Sequence, residues 1–184
     1  MRSTLWHGLT ALVVGMGAAP LVAQEAKPMP GGMEMATPAC SAKVPATGAL
    51  AAWNGQTDLQ AQADPAGLAA ASIRVGQAVR LALLPTPQVR YPVQPEKPGG
   101  SVSHGGLVGV QVARAGKYRI ALGSGAWIDL VGHGKPVLSI AHGHGPDCTG
   151  IRKMVDFDLK PGRYTLQISA NADAQTSLLI VPLD

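Results

Sequence analysis

The sequence predicts an all-β protein: an antiparallel, jelly-roll-like β-sandwich that follows a flexible N-terminal lead-in. Three observations favour this fold class. Apolar and polar residues alternate in short runs from residue 72 onward, as expected of strands with one buried face. Gly and Pro separate these runs at regular spacing, which is typical of a sandwich. No long window in the same region has a helical period.

The first 23 residues have the features of a secretory signal peptide. Arg2 precedes the apolar run "LTALVVGMGAAPLVA", and small residues surround a cleavage point after Ala23. The run is short for a membrane span, and no basic stop-transfer segment follows it. No lipobox cysteine stands near the cut. We therefore expect a periplasmic or secreted protein with no stable membrane span.

Residues 24–71 form the predicted lead-in, and residues 72–184 form the predicted sandwich domain. The lead-in is rich in Pro, Gly and Ala up to residue 47 and shows no periodicity. The segment "GALAAWNG" favours one or two helical turns with Trp53 packed inward. The polar, alanine-rich stretch from Gln56 to Ser72 is a connection for which the sequence predicts no definite structure.

Eight strand-like segments make up the domain, among them "IRVGQAVRLALL", "LVGVQV", "KYRIAL", "AWIDLV" and "RYTLQISA". Because successive side chains of a strand point to opposite faces, the alternation selects one apolar face in each segment. The predicted core consists of Val110, Ile120, Leu122, Trp127, Phe157, Tyr164, Leu166 and Ile168.

Two of these segments resemble each other. "VQVARAGKYRIAL" and "DFDLKPGRYTLQI" both run from a strand through a tight turn to Gly, a basic residue, Tyr and alternating aliphatic residues. Each tyrosine is expected to bury its ring while its hydroxyl reaches a nearby backbone group. We interpret the similarity as the same solution to a tight turn in two separate hairpins, and not as a true repeat.

The charge balance is mildly basic. Without Arg2 the chain has 14 basic and 11 acidic residues, a net charge of +3 by subtraction. The basic residues are scattered along the sequence, and their local groups, such as Arg114, Lys117 and Arg119, are not interleaved with aromatic residues. This pattern predicts solvated strand faces and no nucleic-acid partner.

The two cysteines, Cys40 and Cys148, predict a disulfide, because an even number in an oxidising compartment favours pairing. The bond would connect the lead-in to the loop "IAHGHGPDCTGIR". In that loop His142 and His144 are one residue apart, a spacing that places both rings on one side of a strand and suits a shared metal ion.

Asp147 or His104 is the expected third ligand, and His133 could join them. Copper or zinc suits imidazole nitrogens, and iron suits two histidines with one carboxylate. The alternative is a glycine-rich loop whose histidines face solvent or form ordinary hydrogen bonds. In the lead-in, Met29, Met33 and Met35 lie within seven residues. Thioethers suit copper(I); the alternative is compositional drift in a flexible tail.

The stretch "DFDLKPGRYTLQISANADAQTSLLIV" resembles the closing hairpin of the bacterial pre-peptidase C-terminal domain, and "IRVGQAVRLALL" resembles its opening strand. This resemblance covers about residues 72–184. It implies a small secreted sandwich that acts as an accessory or binding module and not as a catalyst.

The stretches "EKPGGSVSHGG", "GSGAWIDL" and "AHGHGPDCTGIRKMVDF" resemble a family of short secreted proteins from sphingomonad-type bacteria, often labelled homogentisate 1,2-dioxygenase. That label implies an iron-dependent cupin enzyme. The first cupin motif matches only in part: its glycine position holds Pro136, and Asp147 stands one residue before the expected glutamate. No histidine follows His144 to supply the second motif.

Three functions remain open. The first is a secreted module that binds a metal ion or another small ligand. The second is a metal-dependent dioxygenase, and the third is a structural or envelope-interaction domain. We assign no catalytic residues, because no nucleophile elbow or phosphate loop is present: "GSGAW" and "KPGGSVSHGG" lack the required context and spacing.

Overall fold

The computed structural model describes residues 40–183, and all structural statements below concern these residues. The predicted signal peptide and the methionines Met29, Met33 and Met35 lie outside them. No helix in the described part of the chain is long and apolar enough to cross a membrane.

Twelve strands dominate the described chain, and three short 3₁₀ turns accompany them. The strands are β1 (Gln56–Gln60), β2 (Ser72–Arg74), β3 (Ala78–Ala82), β4 (Leu84–Pro85), β5 (His104–Val112), β6 (Gly116–Leu122), β7 (Trp127–Gly132), β8 (Lys135–Val137), β9 (Ser139–Gly143), β10 (Lys153–Leu159), β11 (Gly162–Asn171) and β12 (Gln175–Leu183).

The strands form two sheets that pack face to face, so the predicted all-β sandwich is confirmed. The first sheet has the order β1-β3-β12-β6-β10-β9. The second has the order β2-β5-β11-β7-β8, with β4 added beside β5. Most neighbours are antiparallel, as predicted, but β1 pairs with β3 and β2 pairs with β5 in parallel. Parallel neighbours require a long crossover, and here the chain visits the other sheet between the paired strands.

The sandwich begins earlier than residue 72, where the sequence analysis placed its start. β1 lies in the stretch for which no structure was predicted, and it pairs with β3 along its whole length from Gln56 to Gln60. Its sequence, QTDLQ, has a mostly exposed burial pattern because β1 is an edge strand. An edge strand with polar side chains carries little of the apolar alternation that identifies a strand in sequence.

The core lies between the two sheets and contains seven of the eight predicted residues. Val110, Ile120, Leu122, Phe157, Leu166 and Ile168 are buried, and Tyr164 is partly buried against the same cluster. The eighth prediction, Trp127, is wrong: its neighbours Ile128 and Leu130 enter the core, so Trp127 and Asp129 alternate to the outer face of the second sheet.

A second, smaller cluster covers the outer face of the first sheet. A 3₁₀ turn, Gly48–Asn54, follows the first described residues, and its Trp53 is buried. Trp53 packs with Ala121, Leu179 and Val181, which point away from the main core. The segment "GALAAWNG" thus has the helical turns and the inward Trp53 that the sequence predicts.

The outer face of the second sheet is covered by the long connection between β4 and β5. The Gln167 side-chain amide donates to the Val93 carbonyl and accepts from the Val93 amide, both at 3.0 Å. The Ser169 hydroxyl donates to the Lys97 carbonyl at 2.8 Å. Because Gln167 and Ser169 are both buried, these bonds fix the connection over β7 and β11.

Candidate ligand-binding groove

The stretch of residues 140–152, which we call the histidine loop, begins on β9 and is held by the predicted disulfide. Cys40 and Cys148 are bonded, with their Cα atoms 5.4 Å apart. The amide of Val44 donates to the Cys148 carbonyl at 2.8 Å, and the indole N–H of Trp53 donates to the Thr149 carbonyl at 3.1 Å. The disulfide prediction is confirmed, and the loop is tied to the cluster that covers the first sheet.

The two histidines of the loop have different surroundings. His142 lies on β9 opposite Val155 and lines a groove at the edge of the sandwich. The Nδ1 atom of His144 lies 3.1 Å from the Arg152 carbonyl. Both side chains are exposed.

The other predicted ligands lie in separate places. His104 begins β5 in the second sheet, where its Nδ1 atom is 3.3 Å from the Ala172 carbonyl. Asp147 is exposed in the turn before Cys148, and His133 is in the β7–β8 turn. In the described part of the chain, no three His, Cys, Asp or Glu side chains are placed to hold one metal ion. The described residues therefore do not form the two-histidine, one-carboxylate arrangement that an iron dioxygenase requires.

The groove itself opens where the chain crosses from β8 in the second sheet to β9 in the first, through Leu138. It has a volume of about 480 Å³, within the range of small-molecule sites. Its apolar wall includes Val137, Leu138, Val155 and Phe157. Leu138 is 85% exposed, so the mouth of the groove is open to solvent.

Trp127 forms the polar side of the groove together with Lys153, and Lys97 lies nearby. The ammonium groups of Lys97 and Lys153 each lie 5.2 Å from the centre of a Trp127 ring. Cations at this distance are attracted to the face of an indole. The Lys153 ammonium also donates to the Ala126 carbonyl at 2.9 Å. Trp127 thus interacts with two ammonium groups on the outer face of the second sheet.

Asp129 is the most unusual group in the groove. Its Oδ1 atom accepts a hydrogen bond from the Trp127 indole N–H at 3.0 Å. Its Oδ2 atom is buried and has no hydrogen-bond partner among the described residues. Burial raises the pKa of Asp129, and the nearby charge of Glu96 adds to the shift. The Trp127 indole, the side-chain amide of Gln167 and the charge of Lys153 oppose it. Buried carboxylate oxygens without a partner are rare, because each loses its hydration without compensation.

Lys153 is the cationic group of the groove, and its pKa is perturbed as that of Asp129 is. Burial lowers the pKa of Lys153, and the neighbouring charge of Lys97 lowers it further, whereas Asp129 raises it. The groove therefore places a carboxylate and an ammonium in a partly buried site where both charged forms are disfavoured. Perturbed titratable groups in a cleft are typical of binding sites, although structural ion pairs produce them as well.

Trp127, Asp129 and Lys153 are not among the site residues that the sequence predicts. One signal was present in "AWIDLV": an acidic residue stands in the middle of an otherwise apolar strand. Such a residue needs either solvent or a partner. The sequence could not show that the β4–β5 connection covers it.

Comparisons with known proteins add little beyond the fold. Neither the protein-family models nor the curated proteins contain a match to this chain. Among solved structures, the pre-peptidase C-terminal domain of a collagenase from Bacillus anthracis is similar with a TM-score of 0.36 and 18% identity, over 60% of this chain and 92% of that one. None of these comparisons supports membership of the homogentisate 1,2-dioxygenase family.

Proposed function

We propose that this protein is a non-catalytic binding module of an oxidising, extracytoplasmic compartment, and that the groove at the β8–β9 crossover is its ligand site. The signal-like first 23 residues and the Cys40–Cys148 disulfide support the compartment. A single observation carries the site: Asp129 lines an open groove, and its buried Oδ2 atom has no hydrogen-bond partner among the described residues.

The ligand we propose is a small organic amine with an apolar body. An ammonium group would donate a hydrogen bond to the Asp129 carboxylate and would add a second positive charge beside that of Lys153. Two carboxylates, Asp129 and Glu96, face the groove, whereas its one lysine, Lys153, already donates to a backbone carbonyl. The aliphatic and aromatic wall around Val137 and Phe157 suits the remainder of the ligand.

Titration with phenethylamine, monitored by the indole N–H resonances, tests the site. The Trp127 signal should move in a saturable way because its N–H donates to the carboxylate that binds the amine. The Trp53 signal should not move, since its N–H donates to the distant Thr149 carbonyl. The alcohol 2-phenylethanol has nearly the same shape without the charge and should bind much more weakly.

Two isosteric variants complete the test. Asp129→Asn should abolish the response of the Trp127 signal to the amine, whereas Asp147→Asn, which removes an exposed carboxylate of the histidine loop, should leave it unchanged. Equal effects of the amine and the alcohol on wild-type protein would contradict the charge argument. No response of the Trp127 signal to either compound would contradict the proposed ligand class.

A transition metal is a second candidate ligand, favoured by one specific connection. The disulfide partner Cys148 lies four residues after His144 and anchors the histidine loop. An anchored loop lowers the entropic cost of holding His142 and His144 on one ion, and imidazole suits copper or zinc. This hypothesis requires only His142 and His144 from the described residues.

A competition titration of copper(II) against a chromogenic chelator tests this second candidate. His142→Ala/His144→Ala should bind at least about tenfold more weakly than wild type. Binding should also weaken as the pH falls through about 6.5, because imidazole must be neutral to coordinate. Equal affinity of the variant and wild type would exclude the two histidines as the site.

A further inference from the structure

The two similar hairpin segments of the sequence meet at one end of the sandwich. The β5–β6 turn, residues 113–115, and the β10–β11 turn, residues 160–161, both cross from one sheet to the other. They lie side by side because Gly116 is opposite Leu159 in the first sheet and Gly162 is opposite Val112 in the second. The similarity in sequence thus corresponds to adjacency in space.

Each turn carries the same short pattern, a basic residue, any residue, Gly, a basic residue and Tyr. The first is Arg114 to Tyr118, and the second is Lys160 to Tyr164. In each, the tyrosine hydroxyl donates at 2.8 Å to the carbonyl of the basic residue that opens the pattern. The tyrosines therefore fix both turns, and the four basic side chains start from restricted backbone positions.

Two further basic residues lie at the same end. Arg74 and Arg163 both pair with Gln111, one on each side of β5. Adjacent strands are about 4.8 Å apart, so the Arg74 and Arg163 backbones are roughly 10 Å apart. Lys135 begins β8 opposite Gly132, which in turn pairs with Tyr164.

We call this surface the basic end; its members are Arg74, Arg114, Lys117, Lys135, Lys160 and Arg163. It holds six of the 13 basic residues of the described chain but only Asp158 of its eight acidic residues. The ion pairs of the described chain involve Arg80, Arg90 and Arg119, and none involves the basic end. Asp184 lies outside the described residues.

The basic end also has a concave part. A cavity of about 630 Å³ is lined by Arg74, Arg114 and Lys117 together with Gln111 and Tyr118, and no acidic side chain among residues 40–183 lines it. Unpaired cations that surround a cavity create a positive potential, which attracts and concentrates anionic ligands.

We propose that the basic end binds a linear acidic polysaccharide through its carboxylate groups. The large hydrophobic residues exposed in the described chain are Val44, Val102, Leu138 and Ile140, and none belongs to the basic end. The surface therefore lacks the apolar anchor that peripheral membrane binding uses. Its tyrosine hydroxyls are occupied by the turn carbonyls, and no exposed aromatic platform offers the stacking that single-stranded nucleic acids use. A polyanion with charges along a flexible chain fits cations that are distributed around a cavity and across two sheets.

Binding of the full chain to alginate, a linear polyuronate, tests the proposal by calorimetry at low salt. Wild-type protein should bind alginate and not the neutral polysaccharide dextran, and added salt should weaken the binding through screening. Removing two basic side chains in Arg74→Gln/Arg163→Gln or in Arg114→Gln/Lys117→Gln should reduce the affinity by at least about tenfold. The control Lys43→Gln/Arg152→Gln makes the same change in net charge away from the basic end and should retain the affinity.

Each alternative outcome has a definite meaning. An equal loss of affinity in the control would show that net charge and not the basic end attracts alginate, and would overturn the proposal. Tighter binding to vesicles with anionic phosphatidylglycerol, or to single-stranded DNA, than to alginate would overturn the assignment of the partner. Circular dichroism of each variant shows that the fold is intact, and since all substituted residues are exposed, the fold should be retained.

Discussion

Removal of the disulfide should destabilise the protein strongly. The bond joins residues 108 positions apart, and closing a loop of that length reduces the entropy of the unfolded chain. The chain-entropy relation gives about 5 kcal/mol for this loop, at the upper end of measured values. We therefore expect Cys40→Ala/Cys148→Ala to lose about 3 to 5 kcal/mol of the free energy of unfolding.

The structure adds a local consequence. The disulfide fixes the chain that leads to Trp53, and hydrogen bonds from the Val44 amide and the Trp53 indole connect that chain to the same loop. Without the bond, the cluster over the first sheet should open before the sandwich unfolds. The indole N–H resonance of Trp53 should therefore report an earlier transition than far-ultraviolet circular dichroism in the variant.

Urea unfolding of wild type and variant under oxidising conditions measures both effects. A single-site control, Val44→Ala, retains the disulfide and should cost much less, because Val44 is half exposed. A loss below about 1 kcal/mol in the double variant, well under the usual range for a native disulfide, would refute the argument. Coincident transitions by the two probes would refute its local part.

Three further predictions concern single side chains, each measured by denaturant or thermal unfolding. Phe157→Ala should cost about 3 to 5 kcal/mol because the ring is buried between the sheets; a loss below 1 kcal/mol, far under that range, would mean that the site collapses around the deletion. Asp129→Asn should raise Tm at pH 7 but not at pH 3. Burial raises the pKa of Asp129 in the folded state, so wild type loses stability as the pH rises from about 3.9, the pKa in the unfolded chain, through the higher pKa of the folded state. The neutral Asn side chain avoids this loss. An equal change in Tm at both pH values would contradict this. Arg119→Met should cost about 3 kcal/mol of the free energy of unfolding, because both guanidinium–carboxylate contacts to the largely buried Asp156, each 2.8 Å, are lost. The double variant Arg119→Met/Asp156→Leu removes the carboxylate as well and should recover most of this loss. No recovery would show that the single variant lost packing and not charge pairing.

The sequence alone determined the fold class, most of the core and the covalent link. Alternation in strands such as β6 and β11 identifies an inward face because one side of each strand meets the other sheet, and burial of that face requires apolar residues at every second position. The pairing of Cys40 with Cys148 needed only the count of cysteines and the expected compartment. The tyrosine hydroxyls of the two similar turns also reach backbone groups, as predicted.

Only the tertiary structure shows which strands are covered on both faces and which residues distant in sequence are neighbours. Trp127 looks like a core residue in sequence, but β7 is covered on both faces, and alternation cannot distinguish the face toward the other sheet from the face under the β4–β5 connection. The partial burial of Asp129 is likewise a property of the tertiary structure. The basic residues look scattered along the chain, yet the fold brings Arg74, Lys160 and the other members of the basic end together. Antiparallel strands return the chain to the same end of the sandwich at every second turn.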